Sequence, residues 1–154
     1  MSLAGDTTTD DAGPFGGARL DFDLRRSGSF ALEVRYTDED GNAPDLTGYT
    51  ARLDVRTRTD VAPATAGTPV LEFRTSPTGA QGTIVLGGTA SETLDDGTVV
   101  TVRIITISAT ATQTAAVTPT TPGAELVYDL ELVSGSTVDV PISGYVRVLP
   151  EVTR

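Results

Sequence analysis

Large apolar residues fall on every second position over most of this chain. The segment Leu126 to Leu132 shows the pattern most cleanly. Leu126, Tyr128, Leu130 and Leu132 alternate with Val127, Asp129 and Glu131. A helix gathers its apolar residues every three or four positions, whereas a period of two places them on one face of a pleated strand. The same alternation runs through Leu20, Phe22 and Leu24, then Phe30, Leu32, Val34 and Tyr36, then Tyr49, Ala51, Leu53 and Val55. Shorter runs follow at Val70–Arg74, with Leu71 and Phe73 inward, and at Gln81–Leu86, with Ile84 and Leu86 inward. After the turn Ser134-Gly135-Ser136-Thr137, Val138, Val140 and Ile142 alternate. Gly144 then breaks the run, and Tyr145–Leu149 resumes it.

Turn chemistry separates these runs. Asp38-Glu39-Asp40-Gly41-Asn42 reads as a solvated hairpin turn, because Asp-Gly and Gly-Asn favour positive φ. Asp38, Asp40 and Asn42 have the first spacings of a calcium loop, but the glycine comes early and no glutamate closes the sphere. Gly87-Gly88 ends one strand. Thr89 to Leu94 reads as the one short helical turn, capped by Thr89 or Ser91 and stopped by Asp95-Asp96-Gly97. Val99 to Ile107 is β-prone on both faces, with Val100, Val102 and Ile104 on one and Val99, Ile105 and Ile107 on the other. Such a strand is either central or reaches a partner. The expected architecture is all-β: an antiparallel β-sandwich, immunoglobulin-like in shape, of about eight strands with at most one short helix.

The chain has 154 residues, enough for one domain with a genuine core. Residues 1–18 are small, polar and acidic, and are expected to form an extended N-terminal arm anchored by Leu3 and Phe15. Residues 19–154 form the single sandwich domain. Within it, Ser108 to Gly123 is nearly all Ala, Thr, Pro and Gln. It reads as a loop, or as part of a hairpin projecting at about 98–123 whose limbs Val99–Thr112 and Thr114–Val127 lie on a neighbouring subunit. On that second reading Val99, Ile105, Ile107, Val117 and Pro119 join Leu3 and Phe15 as candidate partner contacts.

Composition bears on function mostly by exclusion. There is no Cys, so no disulfide, thiolate nucleophile or zinc–thiolate site. There is no His, which removes the commonest general base and transition-metal ligand. Lys is also absent, so a Ser–Lys dyad and a phosphate-binding loop are excluded. The acids fall in turns or on outward strand positions rather than facing each other across a cleft. No catalytic residue, metal site or cofactor is expected. A net charge of −10 disfavours nucleic acid as a partner. No run approaches the roughly 18 apolar residues of a membrane helix, and the N-terminus lacks the apolar core of a signal peptide. Arg52, Asp54, Arg56 and Arg58 share the outward face of one strand, where they are expected to pair with acids such as Glu33, Asp21 and Asp23.

The order of these features resembles small β-sandwich proteins of tailed bacteriophages, including the N-terminal domain of baseplate upper and tail-fibre-adaptor proteins. The resemblance runs over about residues 19–154. It is carried by Leu20 to Gly28, Asp40-Gly41-Asn42-Ala43-Pro44-Asp45-Leu46-Thr47-Gly48, the strand Tyr49 to Arg58, and Tyr128-Asp129-Leu130-Glu131-Leu132. Gly144-Tyr145-Val146-Arg147-Val148 followed by Val152-Thr153-Arg154 completes it. It implies a non-enzymatic virion component, assembled in the bacterial host cytoplasm, that docks or orients other virion proteins and forms a homo-oligomer. Two departures stand out: Thr98 to Gly123 looks inserted, and the chain ends where longer members continue into a receptor-binding or stem region. A tail or baseplate adaptor is one expectation. A capsid decoration or head-completion protein is the second, and a carbohydrate-binding module is a remoter one.

Overall fold

The computed structural model describes residues 13–57, 68–117 and 125–150. Nine strands and one short helix follow in the order β1 (Ala18–Arg19), β2 (Phe22–Arg25), β3 (Phe30–Tyr36), β4 (Thr50–Thr57), β5 (Leu71–Arg74), β6 (Gly82–Thr93), β7 (Val99–Ala109), α1 (Ala111–Ala115), β8 (Leu126–Ser134) and β9 (Thr137–Leu149). They form one sheet in the order β1-β9-β8-β4-β5-β6-β7-β3, with β2 also paired to β9.

That order forces the sheet to curl. Strands β2 and β3 lie at opposite ends of the pairing path, yet only residues 26–29 join them. Five Cα steps reach at most about 18 Å. A flat sheet of this strand count is roughly 34 Å across. The ends must therefore approach each other, and the Phe22 and Phe30 rings meet at 5.0 Å. Phe22 also contacts Tyr128 at 4.8 Å, and Phe30 contacts Phe73 at 6.0 Å. These rings join β8, β2, β3 and β5 through the interior. Around them Leu24, Val34, Leu53, Ile84, Ile105 and Leu130 are fully buried.

The fold is all-β, as the alternation predicts, but the sheet is mixed. Strands β1 and β2 run parallel to β9, and β5 runs parallel to β6. The remaining neighbours are antiparallel. Parallel pairing here is short: only Phe73–Gly82 and Arg74–Thr83 pair between β5 and β6, so the loop 75–81 suffices to turn the chain back.

Several local expectations change. The segment Thr89–Leu94 is not helical. Gly87-Gly88 makes a bulge rather than a stop, and β6 continues through it to Thr93. The helix lies instead at Ala111–Ala115, within the stretch expected as a loop. Thr110 caps it by accepting from the Gln113 N–H, while the Gln113 side chain accepts from the Thr110 N–H at 2.8 Å. Asp38–Asn42 forms its turn, with the Asp38 carboxylate accepting from the Asp40 and Asn42 N–H groups. The strands beside it are not a hairpin, since β3 pairs β7 while β4 pairs β5 and β8.

Candidate interaction surfaces

The N-terminal segment is bound along β9. The buried Ser143 hydroxyl donates to the Gly16 carbonyl at 2.7 Å and accepts from the Phe15 N–H at 3.1 Å. Tyr128, also buried, donates its hydroxyl to the Leu20 carbonyl. Backbones approach so closely here that side chains are excluded. A Cβ on Gly144 would stand 2.1 Å from the Leu20 carbonyl oxygen, and one on Gly17, whose φ is +66°, 2.3 Å from that of Val140. Phe15 is thus half-buried against its own chain. Leu3 and Pro119 lie outside the described residues.

Beside this strap, Asp21, Phe22, Asp23, Tyr145, Val146 and Arg147 line a shallow groove of about 410 Å³. Its charges are already matched. Arg147 meets Asp23 through two hydrogen bonds of 2.9 and 2.7 Å. Asp21 takes the Arg19 guanidinium at 2.8 Å and the Tyr145 N–H at 3.0 Å. These bonds hold Asp21 and Asp23 below the usual carboxylate range, against the opposing pull of desolvation. The Tyr145 ring carries the Arg19 guanidinium 5.0 Å from its centroid.

The outer face of β4, β5 and β8 holds a second charged array. Arg52 pairs with Glu131 across strands, and Arg74 reaches both Asp54 and Glu72 at 2.7 Å. Arg56 pairs with Asp54 at 2.8 Å. Cross-strand pairing was the expectation for this face, but with other acids. Glu33 binds Arg35 on its own strand, and Asp21 and Asp23 belong to the groove. Three carboxylates stand directly opposite one another here, Asp129, Asp54 and Glu72 on adjacent strands. Burial, and then the Glu131 and Asp54 charges, push the Asp129 carboxyl up. Among the described residues no grouping of acids has the arrangement of a metal site.

The third surface projects. Strand β3 pairs β7 only from Ala109 back to Arg103, and β5 pairs β6 only at Gly82 and Thr83. Beyond the bulge, Ala90–Thr93 and Val99–Val102 pair with each other and with no other described strand. They form a two-stranded ribbon roughly 15 Å long at about 3.3 Å per residue. The tip is closed by the Leu94 N–H donating to Thr98 at 2.8 Å and by Asp96 accepting from the Thr98 N–H at 2.8 Å. At the root, Arg103 donates to the Pro44 and Gly87 carbonyls at 2.8 and 3.3 Å, and Val102 is fully buried. Val99, on the ribbon, is 65% exposed.

Of the projection expected at about 98–123, residues 118–123 lie outside the described residues, and the described ribbon lies earlier in the chain. Val99–Ala109 is no separate limb: its inner half is a central strand between β6 and β3. Ile105, Ile107 and Val117 are fully buried in the chain's own core, so they cannot also form the contact surface expected of them. Of the expected contacts, Val99 alone is described as exposed. The ribbon itself was missed, although the paired β-prone runs around Asp95-Asp96-Gly97 signal it. No protein-family model matches this sequence, and no curated protein matches it.

Proposed function

We propose that this chain is a non-enzymatic structural protein of a tailed-bacteriophage virion, a tail or baseplate adaptor that docks or orients neighbouring virion proteins. On this reading the curled sheet serves as a two-layer, immunoglobulin-like body, and its surfaces engage protein rather than nucleic acid or membrane. The observation that carries the reading is the β6–β7 ribbon. An isolated two-stranded hairpin is marginal in water, and its unpaired backbone edges are a ready template for another chain. An element of that kind suits docking, and the sequence resemblance supplies the setting. Labelling the protein in purified particles and counting copies tests the proposal. Tens of copies or fewer, at the tail, are expected. Hundreds of copies on the shell, or absence from particles, overturn it.

A further inference from the structure

We infer that the acidic tip of the ribbon docks on the Arg25–Arg26 corner of a second copy, so that copies of this chain join head to tail. The inference rests on the docking role proposed above only in taking the ribbon as the docking element.

Most of the described arginines are matched within the chain, although acids outnumber bases. Arg19, Arg35, Arg52, Arg56, Arg74 and Arg147 each contact a carboxylate of the same chain. Arg25 and Arg26 make no ion pair among the described residues. Both are exposed at the end of β2, where the chain turns through Ser27, in the left-handed region with φ of 59°, towards β3. The Arg26 guanidinium donates to the Ala115 carbonyl at 3.3 Å. At the ribbon, Glu92, Asp95 and Asp96 have no arginine partner among the described residues, and Asp95 and Asp96 are exposed.

These two unmatched sites cannot meet within one molecule. Strand β7 runs from Val99 beside the tip to Ala109, which pairs with Phe30 beside the corner. Ten residue steps of strand separate the ends by roughly 33 Å. At that distance the charges are several Debye lengths apart at physiological salt. Opposite charges at opposite ends of one body attract end to end, and the contact they make is heterologous, closing into a ring or extending as a filament. Docking also covers the ribbon, which its own sheet leaves uncovered.

Charge exchange tests this. Sedimentation velocity of the full chain at low salt is expected to show concentration-dependent self-association that weakens as salt rises. Glu92→Lys with Asp95→Lys should weaken it about tenfold or more, and Arg25→Glu with Arg26→Glu likewise. Asp96 stays untouched because it caps the tip. Combining all four reversals in one chain should restore association. Circular dichroism checks folding, with Arg25→Gln and Arg26→Gln as substitutes should the reversals unfold. A monomer at every concentration, an association indifferent to the reversals, or single reversals not rescued by their combination overturns the inference. None of these results bears on whether the protein is found in particles, so the two proposals fail separately.

Discussion

Tyr128 joins the two ends of the sequence at the scale of a single side chain. Its ring packs in the core and its hydroxyl satisfies the Leu20 carbonyl, while burial pushes its ionisation up. Tyr128→Phe leaves that carbonyl without its donor, and a loss of about 1–3 kcal/mol is expected in urea denaturation. Gly144→Ala acts on the same seam from the other side. Its Cβ would collide with the Leu20 backbone rather than with a movable side chain, so a cost of roughly 1–3 kcal/mol is expected in the same measurement. Asp129 runs the other way. Its folded carboxyl is harder to ionise than an unfolded one, so its charge opposes folding at neutral pH. Asp129→Asn should stabilise by about 0.5 kcal/mol at pH 7, the size of a cross-strand like-charge term. The gain should shrink as pH falls through the folded pKa, where the wild-type group is protonated too. Asp21 and Asp45, with lowered folded values, have the opposite sign. Their contribution is present above the unfolded value of 3.8 and is lost as pH falls through the folded one, which melts recorded below pH 4 would reveal.

Elements built on local pattern were legible before any coordinates. Strands β3, β4, β5 and β8 fall where alternation places them, because a period of two is written in neighbouring residues. What failed depended on residues far apart or on a cue with two meanings. Gly87-Gly88 marks a stop or a bulge equally well, and only the pairing of Thr89–Thr93 with Val99–Arg103 shows that β6 continues. Ile105 and Ile107 are apolar in either a central strand or a contact strand, and the pairing of β3 with β7 decides for the first. The helix was legible and overlooked: Thr110-Ala111-Thr112-Gln113 is a capping box. Thr110→Ala should therefore cost about 1 kcal/mol in thermal or urea unfolding. It should also loosen the β2–β3 corner, where Thr114 donates to the Gly28 carbonyl at 2.7 Å. The candidate surface was partly legible: Val99 was named, but the ribbon was not, since its independence follows from where β3 and β5 stop.

At the scale of the whole molecule, the seam between the first strands and the last governs how the chain can be made. Asp23 and Arg147 pair although 124 positions separate them. Translation delivers β1 and β2 well before β9, the strand they pair with, so a nascent chain carries an incomplete core until β9 emerges. A chain truncated before Pro141 has lost all the residues of β9 that β1 and β2 pair with. Such fragments should be digested by protease far faster than the full chain. Quality control in the cell therefore has a simple criterion to act on: a product that stopped short of β9 is one whose β1 and β2 are still loose.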